Sequence, residues 1–406
     1  MIFGKKFDVD KIRNDFSVLQ KNTIIYLDSA CMSLKPRQVI DKMNEYYNGY
    51  PACSGRSYHK FGVRVGDEIA SARTEIRKFI CAGKDEEIIF TKNTTEGLNL
   101  VINGLNLKDG DEVIISDKEH NSNLIPLLRL KDKARIKIVV CATNKDGTFN
   151  IENFKRCFSG RTKLISIVWV SNLDGVENPI KEIIKIAHSN NALVLIDGAQ
   201  GVPHKEIDVS KLGVDFLAFS GHKMLGPSGT GILYGKKELL EKIEGLTVGG
   251  GTVVDSNYDG FEFEKSPAKF EAGLQNYSGI IGLGETCKYL KKIGLKNISE
   301  HEEKLMKIVF NGLKDISGLE IIGPTDAEKR GGVFSFNIVG MSSHDVAKIL
   351  DSSRAVMIRS GAHCVHSWFN KHKINGCARA SFYLYNTEEE ARTFVEEVKK
   401  IAKFGK

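Results

Sequence analysis

A lysine set between glycines, directly after an apolar run, is the first chemically suggestive feature of this chain: Ser220-Gly-His-Lys223, continuing to Gly231. The run before it, residues 216–220, reads as a buried strand. Lys223 therefore falls on a loop at a strand's C-terminal edge, where open α/β sheets build their sites. A lysine amine there forms a Schiff base with a carbonyl compound once desolvation or neighbouring charge lowers its pKa. Alone, a turn lysine is more simply a solvated side chain. One strand earlier, Asp197 closes the aliphatic run Leu193-Val-Leu-Ile. A carboxylate there cannot face the core uncompensated, so it points into a polar site or caps a helix. An aldehyde-reactive amine and an anion for a pyridinium nitrogen are the pair that pyridoxal phosphate requires.

A phosphate also needs a cradle. Thr91-Lys-Asn-Thr-Thr-Glu-Gly97 follows a predicted strand and opens a helix, so free N–H groups and hydroxyls meet at a helix N-terminus. The same residues also read as an ordinary capping box. His120, after another predicted strand, is placed to lay its ring against an aromatic cofactor, although a lone histidine is more often structural.

The chain has eight cysteines, and no two of them form a Cys-x-x-Cys pair. A large chain outside an oxidising compartment needs no disulfides, and most of these residues read as small core hydrophobes. Cys364 stands apart in the polar stretch Ser360-Gly-Ala-His-Cys-Val-His366. A zinc site from His363, Cys364, His366, His372 and Cys377 has suitable ligand types, but its spacing matches no familiar zinc pattern. No metal is expected.

These residues must be positioned by a scaffold, and its pattern is legible. Short apolar runs at residues 24–28, 88–91, 112–116, 137–141, 164–171, 193–197, 216–220 and 231–234 alternate with helical stretches at 67–80, 96–104, 180–189 and from 237. Such alternation predicts an α/β fold whose mostly parallel sheet is flanked by helices. After Gly249-Gly-Gly251 the pattern changes: helices from Ser278 and Ser299, a strand at 332–338, a helix at 344–350, a strand and turn at 354–361 and a last helix from Thr387. That predicts a smaller α+β C-terminal domain. The expected division is an N-terminal segment 1–20, a large domain 21–265 and a small domain 266–406 carrying the Cys364 loop.

Composition excludes several classes. A hydrophobic share of 41% with 27% charged residues is globular, which removes disorder. The longest apolar run, residues 164–170, is too short to span a bilayer, so no membrane association is expected. Two lysines in residues 1–6 lack an apolar stretch behind them, so no secretory leader and a cytoplasmic location are expected. The net charge of +7 is scattered, which argues against direct nucleic-acid binding and fits an anionic ligand.

Taken in order, the segments resemble the class V aminotransferase group of fold-type I PLP enzymes and, within it, the Suf-type (group II) cysteine desulfurases. The resemblance runs from about Phe16 to the last helix through Tyr26-Leu-Asp-Ser-Ala30, Thr94-Thr-Glu-Gly97, Glu119-His120, Val170-Ser-Asn-Leu-Asp-Gly175, Glu177-Asn-Pro179, Asp197-Gly-Ala-Gln200, Ser220-Gly-His-Lys223, Phe270-Glu-Ala-Gly273 and Arg379-Ala-Ser381. It implies that Lys223 carries the cofactor, Asp197 pairs with its ring nitrogen, Gln200 contacts the ring oxygen and His120 stacks on the ring. Thr94, Thr95, Ser220 and His222 are expected at the phosphate and Asn172 in the pocket wall. Arg379 is expected to bind the substrate carboxylate, with Arg359 and His59 near it. Cys364 matches the thiol that takes sulfur.

The implied activity is conversion of L-cysteine to L-alanine by a homodimer, with a persulfide on Cys364 passed to an acceptor protein for iron–sulfur assembly or tRNA thiolation. Alternatives are selenocysteine lyase, an aminotransferase or epimerase of the same class, and a binding or scaffold protein that keeps the fold without the cofactor. Cys364 argues against aminotransfer and epimerisation, and intact Lys223, Asp197 and His120 argue against a scaffold. The chain departs from the family pattern in several places. Leu274 replaces a threonine whose hydroxyl reaches the partner subunit's phosphate, leaving Thr252 to substitute or one bond to be lost. Cys31 and Cys53 appear near the expected pocket as relay thiols or buried residues, and Trp368 and Lys371 follow Cys364.

Overall fold

The computed structural model describes residues 7–55 and 57–404; residues 1–6, Arg56 and residues 405–406 lie outside it. Seven strands form the large sheet: β1 (Ile88–Thr91), β2 (Glu112–Ser116), β3 (Lys137–Cys141), β4 (Thr162–Val168), β5 (Leu193–Asp197), β6 (Phe216–Ser220) and β7 (Gly231–Gly235). Their spatial order is β1-β7-β6-β5-β4-β2-β3. Every neighbouring pair is parallel except those made by β7, which runs antiparallel to both β6 and β1.

Apolar runs without alternation make sense in this setting because both faces are covered. Ile114, Ile165, Ile167, Val194, Ile196, Leu217 and Phe219 enter the core on one face. Their chain neighbours Val113, Ile115, Leu164, Leu195, Phe216 and Ala218 enter the core on the other. Successive strand residues point to opposite faces, so a strand buried on both sides is apolar at every position.

Helices supply the covering. α1 (Arg37–Gly49), α2 (Lys60–Phe79), α3 (Thr94–Gly104) and α4 (Asn121–Ala134) precede the long α5 (Tyr277–Ile293), which packs against α1 and α2. The predicted helix at 67–80 begins seven residues earlier, at Lys60, because His59 caps it through its own ring nitrogen. α4 was not legible as a helix: Pro126 interrupts its pattern in the second turn, where it removes one intrahelical N–H bond, to the Ser122 carbonyl.

A second, four-stranded antiparallel sheet is built from β8 (Leu319–Ile322), β9 (Val333–Ile338), β10 (Arg359–Gly361) and β11 (Cys377–Ser381), in the order β8-β9-β11-β10. Phe334, Phe336, Ala378 and Ala380 pack there with Phe394 and Val398 of the last helix, Glu388–Phe404. Residues 280–298 of α5 and the helix after it, through Ile280, Leu283, Cys287, Leu290 and Ile298, belong to the large-sheet core; from Leu305 onward the same following helix joins the second core. Ile25–Tyr26, expected as part of the first strand array, instead pairs in parallel with Val356–Met357.

The join between β7 and the α3 turn leaves no room for a side chain at Gly231. A methyl group added at Gly231 would lie 2.6–2.9 Å from the backbone atoms of Asn93. Backbone cannot swing away as a side-chain tip can, so Gly231→Ala is expected to lower unfolding free energy by about 1–3 kcal/mol, read from urea denaturation. An unchanged midpoint would show that the turn relaxes freely.

Candidate active site

Every loop leaving the C-terminal edge of β1, β2, β4, β5 and β6 contributes to one cavity of about 230 Å³. Its walls include Thr94, Thr95, His120, Asn172, Asp197, Gln200, Ser220, His222, Lys223, Arg359, Cys364 and Arg379. Of the residues that the resemblance assigns to cofactor, substrate or sulfur, His59 is absent: its ring accepts the Gly62 N–H at 3.3 Å as the cap of α2. A larger groove of about 1470 Å³ near Trp169 and Lys205 contains none of these residues.

Lys223 follows β6 in a short 3-10 turn, Gly221–Lys223. Burial lowers its pKa, the Asp197 carboxylate opposes that shift, and Arg379 reinforces it. Asp197 is 2% exposed, and burial pushes its carboxyl upward against the pull of Lys223. Its Oδ1 accepts the Ala199 N–H at 2.9 Å, and no donor among the described residues reaches Oδ2. A free oxygen on a buried carboxylate fits a protonated ring nitrogen.

The opposite end is lined with donors. Asn93 caps α3, its side chain accepting the Glu96 N–H at 3.0 Å. Thr94 N–H donates to Ser220 Oγ at 2.8 Å, and the two hydroxyls lie 2.6 Å apart. Thr95 Oγ1 and Ser122 Oγ are 2.7 Å apart. Hydroxyls and helix N–H groups gathered at one point fit a phosphate. His222 is held neutral at a pKa of about 4, by burial and then by Lys223 and Lys35.

Thr252, the candidate substitute for the hydroxyl missing at Leu274, is fully buried and spends its hydroxyl on Gly249, donating to its carbonyl at 2.8 Å and accepting its N–H at 3.0 Å. Leu274 is 74% exposed and outside the cavity, and Cys53 is exposed in a different depression.

His120 caps α4, and its Nδ1 accepts the Ser122 N–H at 3.0 Å. That bond requires an unprotonated Nδ1; burial, followed by Lys223 and the arginines, lowers the pKa to about 3. Behind it Glu119 accepts the Val168 N–H at 3.0 Å and the Asn123 amide at 2.8 Å, locking the His120 turn to β4. Burial raises the Glu119 carboxyl to about 7. Gln200 donates its amide to the Ala30 carbonyl at 2.6 Å.

The Cys364 loop is held by its backbone. His363 and Cys364 both take left-handed conformations, with φ of 47° and 59°. Two consecutive non-glycine residues there are unfavourable and persist only where surroundings over-determine them. Asn172 Nδ2 donates to the His363 carbonyl at 2.8 Å, and Asn121 N–H donates to the Cys364 carbonyl at 2.7 Å. His363 Nε2 bonds the Cys377 carbonyl at 3.0 Å, His366 meets Asn121, and His372 stacks on Trp368. These engagements spread the residues weighed as zinc ligands, and among the described residues no group of three or more His, Cys, Asp or Glu side chains is gathered for a metal.

Arg379 is 2% exposed; it donates to the Asn172 carbonyl at 2.9 Å and to Asp28 at 3.4 Å, and its Nε has no partner. Arg359 donates to Cys31 Sγ and lies 4.0 Å from Asp28.

The aminotransferase class-V family matches residues 25–394. The chain belongs to that family. Its class-V relatives include a probable cysteine desulfurase of Halalkalibacterium halodurans, 40% identical over 97% of this chain and 98% of that protein. Another, from Methanothermobacter thermautotrophicus, is 39% identical over the full length of both. A solved class-V structure, the apo cysteine desulfurase of Thermococcus onnurineus, superposes with a TM-score of 0.94 at 38% identity, over 99% of this chain and 100% of that one. The α/β fold with a mostly parallel sheet and flanking helices is thus the architecture of this family.

The buried histidines make stability pH-dependent. His363 titrates near 6.5 when unfolded and at about 3 when folded, chiefly through burial. Below 6.5 the unfolded chain binds the extra proton, so stability falls as pH drops from 6.5 toward 3. The slope is about 1.4 kcal/mol per pH unit for one such histidine. Denaturation at pH 7.5, 6 and 5 should show a shallower decline in His363→Gln than in the unsubstituted protein; equal slopes would place His363 in solvent.

Proposed function

We propose that the protein is a pyridoxal-phosphate-dependent cysteine desulfurase of the Suf (group II) type, converting L-cysteine to L-alanine and leaving sulfur as a persulfide on Cys364. The observation that carries this reading is the Cys364 thiol, pinned through its backbone in the same cavity as Lys223 and Asp197. Aminotransfer or epimerisation would leave that thiol without a task.

The residues present fit the cofactor. Lys223 would carry it, Asp197 would hold its ring nitrogen through the free Oδ2, and Thr94, Thr95, Ser220 and His222 would receive its phosphate. His120 would lie on the ring with Gln200 at the ring oxygen. When bound, pyridoxal phosphate supplies an electron sink that weakens bonds at the substrate's α- and β-carbons.

The chain's own groups do the rest. Arg379 is placed to grip the substrate carboxylate through two parallel N–H bonds. Asn172 buttresses both Arg379 and the Cys364 loop, so substrate and nucleophile share one support. Burial lowers the Lys223 amine toward the neutral form, which lets it accept and return the α-proton. Cys364 Sγ, as thiolate, attacks the substrate sulfur; the Cβ–S electron pair returns to the carbon side, and Cβ is protonated to give alanine.

Exposed Val254, Tyr258, Phe261 and Phe263 on the hairpin formed by Val253–Ser256 and Phe261–Phe263 support a homodimer. A partly exposed Cys364 supports delivery to an acceptor protein. Among the described residues no helix is long and apolar enough to cross a membrane.

Alanine formation from L-cysteine tests the reading. Cys364→Ser should keep the visible absorption of the bound cofactor and lose at least about 100-fold in alanine formation, because a hydroxyl is a poor nucleophile toward sulfur. Full activity in that variant would overturn the assignment. Arg379→Lys should raise KM for cysteine about 10-fold or more while the absorption spectrum holds, since an ammonium cannot reproduce the fork. An unchanged KM would place the carboxylate elsewhere.

A further inference from the structure

Two thiols among the described residues line the cavity, and the proposed reaction uses only one of them. The other is Cys31. It ends a turn that begins at Asp28, where its N–H meets the Asp28 carbonyl at 3.1 Å. Gln200 grips the same turn through the Ala30 carbonyl at 2.6 Å, and Ser381 accepts the Ala30 N–H at 2.9 Å. The turn thus presents a carboxylate to Arg379 and a sulfur to Arg359.

The Arg359 guanidinium donates to the Cys31 sulfur, which fixes this thiol in the cavity wall. Both Cys31 and Cys364 lie close enough to Lys223 to favour its ammonium. The cavity is also built to receive a polar ligand: Arg379 Nε and His363 Nδ1, on residues 2% and 6% exposed, have no partner. The remaining cysteines differ. Cys53 and Cys81 are exposed and outside the cavity, and burial pushes Cys141 and Cys377 up to about 12.

We propose that Cys31 is a second sulfur-carrying thiol of this site, receiving the outer sulfur of the Cys364 persulfide by thiol–persulfide exchange. The proposal rests on the desulfurase reading above. The Cys31 thiolate supplies the electron pair for a new S–S bond to the outer sulfur. The old S–S bond breaks with its pair on Cys364 Sγ, which leaves as a thiolate. The outer sulfur keeps its hydrogen and its oxidation state, so no oxidant or reductant enters. Cys364 is thereby freed for a second turnover while the first sulfur rests beside Arg359.

The test uses holoenzyme loaded with pyridoxal phosphate and free of added reductant. One and then two equivalents of L-cysteine per site are added, alanine is counted, and persulfides are alkylated and mapped by mass spectrometry over time. The unsubstituted enzyme should release two alanines per site, labelled first on Cys364 and then on Cys31. Cys31→Ala and Cys31→Ser should release one, with the label confined to Cys364. A single alanine per site in the unsubstituted enzyme, with Cys31 unlabelled at every time, overturns the relay and leaves Cys364 as acceptor. A Cys31 label that appears before the Cys364 label, or in Cys364→Ser, overturns the exchange order. No alanine at all removes the desulfurase reading and the relay with it. Mapping in the unsubstituted enzyme decides the matter even if both Cys31 variants fail to fold.

Discussion

Charge withdrawn from water at the C-terminal edge of the large sheet is the constraint on which the rest of the structure depends. Asp197, Lys223 and Arg379 surround one small cavity, and burial drives each toward its neutral form. The attraction of Asp197 for Lys223 and of Asp28 for Arg379 only partly offsets this. Such groups stay in place because they project from or just beyond strands rather than from free loops. Asp197 closes β5, Lys223 follows β6 by three residues, and Arg379 lies within β11. A free Asp197 oxygen and a free Arg379 nitrogen remain, which is the condition in which a ligand of opposite polarity gains most from entering.

The same economy of support appears at the nucleophile. Asn172 holds the His363 carbonyl with its side chain and Arg379 with its backbone, so one residue after β4 ties the small sheet to the large one. His120 and Asn121 do likewise from the other side: the first presents a neutral ring, and the second bonds the Cys364 carbonyl. Moving either sheet against the other would disturb substrate grip and sulfur acceptor together. The left-handed backbone at 363–364 is therefore held by residues that also form the cavity.

Much of this architecture was legible because burial leaves a simple trace. Strands covered on both faces are apolar at each position, so six runs could be placed to within a few residues; the edge strand β3, with Val140 half exposed, was placed by its β-branched residues instead. Site residues could then be expected wherever a polar side chain ended such a run, as Asp197 and Ser220 do. The traces that failed were those shared by several structures. α4 carries a proline and no clean apolar stripe, and the hairpin at 253–263 is exposed along its length. His59 sits in a motif like that of the family, yet its ring serves as a helix cap.

By itself the sequence determined the order of strands and helices, the placing of Lys223 and Asp197 at strand ends, and the chemical types available for catalysis. These follow from side-chain polarity read along the chain. Only the tertiary structure decided that Cys31 meets Arg359 across 328 residues, that Thr252 is already engaged, and that Cys364 faces the cavity rather than solvent alone. Contacts between distant segments depend on how sheets and loops pack, and no local pattern of polarity or spacing encodes a partner hundreds of residues away.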